Sequence, residues 1–357
     1  MTMSDVTGDL VASIVPIDAS SALAARALQG RLTKPAGSLG RLEVIGTQLA
    51  AIAAVCPPPV PEPATIGVFA GDHGVASAGV TPWPSDVTAQ MVANFCAGGA
   101  AINVLARHAG ASVVVVDVGV ATPVPGPATG LVRHTIALGT ANLAVEAAMT
   151  VAQVDAAIAV GARVARDAVA AGARLLATGD MGIGNTTPSA ALIAAFTGSP
   201  ASSVTGRGTG VDDAMWRHKV DVVDGALRRI APTATPVEIV AEVGGLEIAA
   251  LVGFVLAGAA ARVPVVIDGV IAVAAALAAA AIAPDVTGYL IGGHRSSEPG
   301  ATVGLDHLGL EPVLDLGLRL GEGSGAALAI PLVQAAAKIM REMATFESAG
   351  VSERGEA

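Results

Sequence analysis

Around position 180 the chain reads Gly179-Asp180-Met181-Gly182-Ile183-Gly184-Asn185-Thr186-Thr187-Pro188. The apolar run Leu175-Leu176-Ala177 precedes it and an Ala-rich segment of helical character follows, so it reads as a strand-to-helix turn. Its three glycines remove side chains and let backbone N–H groups approach an anion, and the helix start behind them adds a favourable dipole. The chemistry on offer is phosphate binding; a tight connection needing positive φ is the plainer alternative. Other expected strand ends look alike: Gly71-Asp72-His73-Gly74, Asp268-Gly269, Gly292-Gly293-His294-Arg295-Ser296-Ser297-Glu298-Pro299-Gly300 and Leu320-Gly321-Glu322-Gly323-Ser324-Gly325. In open α/β sheets ligands bind outside the carboxyl ends of the strands, and here Gly, Asp, His, Ser and Glu collect at that edge. A small-molecule site is expected there.

The elements that must carry these residues alternate in type. Strands are expected at 65–70, 112–117, 174–177, 263–267, 287–291 and 312–316, with helices between them, the pattern of a parallel sheet covered on both faces. One helix is expected over 151–171, with Thr150 as cap and Gly172 as stop. Ahead of the first strand, Asp18 is placed to cap a helix reaching Leu32, and 39–55 carries a second periodic segment. Pro57-Pro58-Pro59-Val60-Pro61-Glu62-Pro63 is a stiff spacer and the clearest boundary in the chain. The Pro-rich stretch 122–148 reads as an excursion over the surface.

Composition removes several classes of function. A net charge of −10 argues against a nucleic-acid surface. Only 2% of the residues are aromatic although 53% are hydrophobic, so Ala and Val must fill the core. Mean hydropathy of +0.65 raises a membrane reading. The uncharged runs between Glu247 and Arg262 and between Asp268 and Asp285, 14 and 16 residues, are too short to span a bilayer and read as buried helices. Cys56 and Cys96 form no disulfide framework or zinc pattern, and no export signal is evident in the first residues, both of which point to the cytoplasm. No Gly-Lys-Ser/Thr loop, Gly-x-Ser-x-Gly elbow or His-Glu-x-x-His pair occurs, and Gly182-Ile183-Gly184 lacks the third glycine of a dinucleotide fingerprint.

Taken together, the Gly179–Thr187 stretch, Gly71-Asp72-His73-Gly74-Val75, Lys34-Pro35 with Gly37-Ser38-Leu39-Gly40, Gly206-Arg207-Gly208-Thr209-Gly210, Gly244-Gly245-Leu246-Glu247-Ile248, the Gly293–Gly300 stretch and Gly321-Glu322-Gly323-Ser324-Gly325 closely resemble the nicotinate-nucleotide:dimethylbenzimidazole phosphoribosyltransferases. The resemblance runs in unbroken order over roughly residues 20 to 345. It implies transfer of 5-phosphoribose from nicotinate mononucleotide to 5,6-dimethylbenzimidazole, giving α-ribazole 5'-phosphate and nicotinate with inversion at the anomeric carbon. It also implies a homodimer, a doubly wound, mainly parallel α/β domain over 61–323, and a small helical domain built from 1–60 and 324–357. No cofactor or metal is called for, because nicotinate departs from a cationic pyridinium as a neutral ring nitrogen.

The nucleophile does need help. As one benzimidazole nitrogen attacks, the N–H of the other becomes acidic, and a nearby carboxylate can accept that proton. By resemblance the catalytic base falls on Glu322; its plainer alternative is a solvated acid ahead of a helix, where the dipole lowers its pKa while an aromatic pocket raises it. A second family carboxylate aligns with Asp180, usually Glu, so the arm is one methylene short. The phosphoribosyl and nicotinate contacts are expected from Gly182, Ile183, Gly184, Asn185, Lys219, Gly293, Ser296 and Leu320, with Lys219 alternatively an exposed helix lysine. Ser85 and Gln90 are the expected benzimidazole contacts, with Ser85 equally able to cap a helix over 86–95. His73 and Asp72 are expected to organise their loop, and His294 and Arg295 to orient ribose or the nicotinate carboxylate. A phosphoribosyltransferase for another base and a non-catalytic nucleotide-binding regulator are the alternatives.

Overall fold

The structure, a computed structural model, describes residues 5–208 and 210–352. Its elements in chain order are α1 (Asp5–Ser13), α2 (Ala19–Arg31), α3 (Arg41–Ala53), β1 (Ala64–Gly71), α4 (Asp86–Cys96), α5 (Ala101–Ala109), β2 (Ala111–Gly119), β3 (Val132–Arg133), α6 (Val151–Ala170) and β4 (Leu175–Met181). Then follow α7 (Thr186–Thr197), α8 (Ala201–Val204), α9 (Asp213–Leu227), α10 (Pro236–Val243), α11 (Leu246–Ala260), β5 (Val265–Ile267), α12 (Val270–Ile282), β6 (Leu290–Gly292), α13 (Pro299–His307), α14 (Ser324–Glu342) and α15 (Phe346–Ala349). Local chemistry sets several of the ends. The Asp18 carboxylate accepts from Ser21 N–H at 2.6 Å and starts α2, and Thr150 forms a capping box with Gln153 at the start of α6.

All pairings in the six-stranded sheet are parallel, in the order β3-β2-β1-β4-β5-β6. The winding direction reverses between β1 and β4, so a crevice must open at their carboxyl ends, where the connections leave in opposite directions. Every residue of β1 is buried, as a central strand covered on both faces requires.

Two expected edges differ from the observed ones. Residues 312–316 form no strand: Pro312 has no N–H, and only Val313 and Leu314 bond back, to the Gly292 and Gly293 carbonyls at 2.8 and 3.1 Å. The opposite edge is instead β3, from the segment read as a surface excursion, where Val132 pairs with Val116 and Arg133 with Asp117. In addition β4 runs on through Gly179 and Asp180, so the turn that follows it begins only at Gly182. The expected 287–291 strand starts late, because residues up to Tyr289 wind into a 3-10 turn, Pro284–Tyr289.

The helices form two layers. One face of the sheet is covered by α6, α11, α12 and their neighbours, the other by α3, α4, α5 and α14. The near-absence of aromatics follows from how closely the first layer packs. A Cβ on Gly161 would lie 1.7 Å from the Ala250 carbonyl oxygen, and one on Gly253 would lie 1.9 Å from that of Ile158, so the α6 and α11 backbones touch. The two runs that raised the membrane question are α11 and α12, nearly all buried. A third stretch, 86–109, is long and apolar enough by composition to cross a membrane, yet it is broken near Gly98 (φ +77°) into α4 and α5, which pack on the sheet. The chain ends meet: Leu32 bridges to Thr345, and Ala25, Ala50 and Met340 form a small core joining α2, α3 and α14. Ile45 and Leu49 of α3 also belong to the larger core under the sheet.

Candidate active site

A cleft of about 110 Å³ opens at the carboxyl ends of β4 and β5. Asp180, Gly182, Ile183 and Asn185 line one wall, and Ser296, Glu298, Leu320 and Glu322 line the other.

Glu322 reaches this cleft through a local backbone that sequence rules disfavour. Residues 321, 322 and 323 all have positive φ (77°, 64° and 90°), and the middle one is not glycine. A left-handed non-glycine residue costs on the order of 1 kcal/mol or more and persists only when its surroundings over-determine it. Two contacts do so. Gly323 N–H donates to the Asp268 carboxylate at 3.1 Å, and the Glu322 carbonyl lies against bare Gly179, where a Cβ would sit 2.7 Å away. Gly179 therefore makes room for the Glu322 backbone; it does not face an anion.

Asp268 also accepts from Ala326 N–H at 2.9 Å, so it supplies from β5 the anion that the α14 N-terminus attracts. Glu322 is thus relieved of the capping role that its position suggests. Its side chain is 6% exposed, and Oε2 has no partner among the described residues. Burial, then the neighbouring Asp268 charge, pushes its pKa up to about 7, while the Ile102 amide at the start of α5 pulls the other way.

Asp180 sits beside this turn: a Cβ on Gly321 would lie 3.4 Å from Asp180 Oδ2. Asn185 Nδ2 donates to that oxygen at 2.9 Å, and Oδ1 has no partner among the described residues. Burial raises the Asp180 pKa well above the usual carboxylate range; the Asp268, Glu247 and Glu322 charges add to this, and the Asn185 hydrogen bond opposes it. Two of the carboxyl groups lining the cleft, Glu322 and Asp180, are thus both shifted upward by burial and by neighbouring carboxylates, and Glu322 is placed near neutrality, where it can exchange a proton.

The glycine turn is less open than its composition suggests. Ile183 N–H already donates to Thr88 Oγ1 of α4 at 3.1 Å, and Gly182 is bare because a Cβ there would lie 2.3 Å from the Gly71 carbonyl oxygen. Gly184, at φ +91°, is the residue whose backbone itself requires glycine. Behind the turn, Lys219 projects from α9 at 1% exposure, which removes the exposed-lysine alternative. Its Nζ donates to Thr186 Oγ1 at 2.6 Å and to the Gly206 carbonyl at 3.4 Å, and burial lowers its pKa to about 8. Lys219 does not line the cleft; Thr186, which it holds, does.

The profile of a phosphoribosyltransferase family matches residues 14–351. A nicotinate-nucleotide–dimethylbenzimidazole phosphoribosyltransferase of Salinispora tropica is 57% identical over 96% of this chain and 98% of its own length. One from Chloroflexus aurantiacus is 53% identical over 98% and 99%. The chain belongs to this phosphoribosyltransferase family. The crystal structure of the Thermus thermophilus enzyme of that name superimposes with a TM-score of 0.90, at 46% identity, over 95% of this chain and 100% of that one.

Against the phosphoribosyltransferase framework, the remaining expected residues fall in several places. Gly293 lies away from the cleft lining and is bare because a Cβ would meet the Ile267 carbonyl oxygen at 2.8 Å. Ser85 is half-buried at the start of α4 and makes no side-chain cap; Gln90 is exposed on the same helix. Neither lines the cleft, and it is Thr88 between them that reaches the glycine turn. His73 Nε2 pairs with Glu247 Oε1 at 2.7 Å, both fully buried, and Asp72 accepts from Ala121 N–H at 2.8 Å, so both act on loop structure. Arg295 donates to Thr302 Oγ1 at 3.2 Å, and the His294 ring packs against Gly325, where a Cβ would lie 1.9 Å from Cδ2. Neither of these lines the cleft. Sequence reasoning passed over Thr186, Gly208, Glu298 and Arg319, which line it, and Asp268, which shapes it. Asp268 and Glu298 each stood inside a motif already singled out; their signal was an acid beside glycines at a strand end. Thr209, part of one motif, lies outside the described residues.

Proposed function

We propose that the protein transfers the 5-phosphoribosyl group of nicotinate mononucleotide to 5,6-dimethylbenzimidazole, releasing nicotinate and forming α-ribazole 5'-phosphate. The observation that carries this reading is the Glu322 carboxylate: buried, unpartnered at Oε2 among the described residues, raised to about 7, and facing the glycine turn across one cleft. In the reaction one benzimidazole nitrogen forms the new bond to the anomeric carbon as the bond to the nicotinate ring nitrogen breaks. The electron pair of that bond returns to the pyridine ring, and the proton on the second benzimidazole nitrogen passes to Glu322. A base with a pKa near 7 is matched to this task at neutral pH.

Asp180, the second carboxyl group, works beside Glu322 in this proposal. The sugar phosphate lies along Gly182, Ile183, Gly184 and Asn185, with Lys219 acting through Thr186, and Ser296 and Leu320 completing that side, Gly293 only giving room behind it. Since Ile183 N–H is engaged by Thr88, the anion's charge partner is Lys219 rather than that amide. The benzimidazole approaches from the Ser85 and Gln90 side of α4. The cleft is smaller than sites that take ligands of this size, so binding requires it to widen. A cytoplasmic homodimer, with residues 1–60 and 324–357 forming one helical unit, completes the proposal.

Purified protein incubated with nicotinate mononucleotide and a panel of acceptor bases, without added metal, tests it. Release of nicotinate that depends on 5,6-dimethylbenzimidazole supports the reading. Release that depends only on another base moves the chain to a different transfer, and nucleotide binding without release under any acceptor makes it a regulator.

A further inference from the structure

Glu298 occupies the residue before α13, the position from which an acid ordinarily caps its own helix, yet its side chain makes no such bond. The carboxylate turns instead to a segment 90 residues away, where Oε1 accepts from Gly208 N–H at 2.7 Å. It is 6% exposed, and the buried Lys219 ammonium, which is charge-coupled to it without a direct ion pair, offsets part of the cost of burying it. The rest of that cost must be met by its hydrogen bonding.

The segment it touches is held by charged groups at three of its backbone polar atoms. The Gly206 carbonyl accepts from Lys219, the Gly208 N–H donates to Glu298, and the Gly208 carbonyl accepts from Arg319 Nη1 at 2.9 Å. Gly206 has to be glycine for this, because a Cβ there would lie 2.0 Å from Glu298 Oε2. Gly208, Glu298 and Arg319 line both the cleft described above and an adjoining one of about 510 Å³, so this clamp forms the partition between them.

We propose that Glu298 is a positioning residue for the phosphoribosyl donor: by holding the Gly208 amide and packing on bare Gly206, its carboxylate fixes the segment that bounds the sugar-phosphate side of the cleft. The inference rests on the phosphoribosyl-transfer reading for the identity of the ligand, and on the hydrogen bonds alone for the clamp. In this role Glu298 acts through the Gly206 and Gly208 backbone and not on the reacting atoms. Because an amide oxygen can replace the carboxylate oxygen as acceptor, Glu298→Gln retains the clamp and Glu298→Ala loses it.

The test measures the dissociation constant for nicotinate mononucleotide by calorimetry, KM and kcat by nicotinate release, and hydrogen exchange at the Gly208 amide in the ligand-free protein. Glu298→Ala is expected to raise Kd and KM about tenfold or more, to change kcat less than about threefold, and to speed Gly208 exchange. Glu298→Gln returns all of these to within about threefold of the unaltered protein. Gly206→Ala, which displaces the carboxylate while keeping it, is expected to reproduce the rise in Kd. Combined with Glu298→Ala it adds little, as for two changes that break one contact; it also serves where Glu298→Ala does not fold. Unchanged Kd and Gly208 exchange in Glu298→Ala would overturn the proposal, as would a Gln variant as impaired as the Ala variant. If the unaltered protein binds no nicotinate mononucleotide, the transfer reading fails, and Gly208 exchange still decides whether the clamp exists.

Discussion

The two walls of the cleft are built by different means. One, from Asp180 to Thr186, is the end of a regular strand passing into a regular helix, with its residues fixed by sheet register and by the Thr88 hydroxyl. The other, from Leu320 to Gly323, is irregular backbone held by side chains from distant strands, chiefly Asp268. Glu322 therefore sits on the strained wall, where burial and a neighbouring charge raise its pKa, and the glycine-turn residues proposed to hold the sugar phosphate sit on the regular one. A site that must keep one carboxylate poised to take a proton gains from placing it where it cannot relax toward solvent.

Changes on the strained wall are expected to weigh most on turnover. Glu322→Gln should lower kcat by roughly 10²- to 10⁴-fold while leaving nucleotide binding intact, measured by steady-state nicotinate release and calorimetry. It should also stabilise the fold in alkali. Because folding raises the Glu322 pKa from 4.5 to about 7, the folded state holds the extra proton between those values, and stability falls as pH rises through that window. At pH 8 the variant escapes this cost, so thermal unfolding should show it more stable by roughly 1 to 3 kcal/mol, with no gain at pH 4.

Changes on the regular wall should fall on binding. Lys219→Ala is expected to raise KM for nicotinate mononucleotide about tenfold or more with a smaller effect on kcat; an unchanged KM would separate Lys219 from the anion. Asp268→Asn sharpens the link between the walls. Removing the charge that raises Glu322 should move the ionisation in the pH–rate profile to a lower pH, and the weakened α14 cap should cost about 1 kcal/mol in denaturant unfolding. The smallest effect on the chemistry is expected from Thr88→Val, which strands the buried Ile183 N–H and should destabilise by about 1 to 3 kcal/mol in denaturant unfolding without shifting that profile.

What could be read from residues alone follows the same division. Strand ends carrying glycine and an acid announce themselves by pattern, so β1, β2 and β4 were accessible, as were the caps at Asp18 and Thr150. Seven short motifs in order pointed to the family. The two-residue β3 was not accessible, because Val132 and Arg133 acquire strand character only by lying beside Val116 and Asp117. Nor was the partner of α14: nothing local to Asp268 says that it caps a helix 56 residues later. The glycines misled in part: Gly179 and Gly293 answer to packing against Glu322 and Ile267, and Gly182, which does line the cleft, is bare also because of the Gly71 carbonyl. Ser85 was weighed as a helix cap or a ligand contact; its backbone is helical and its side chain makes no cap, which leaves only the second reading for experiment.

The central claim, that a buried Glu322 takes the acceptor's proton, is tested most directly by the pH dependence of kcat/KM for nicotinate release in the unaltered protein and in Glu322→Gln. The unaltered protein should rise tenfold per pH unit on the acid side and level off near pH 7, and the variant should show a low, flat profile without that limb. An unaltered limb near pH 7 in the variant, at near-normal rates, would contradict the assignment.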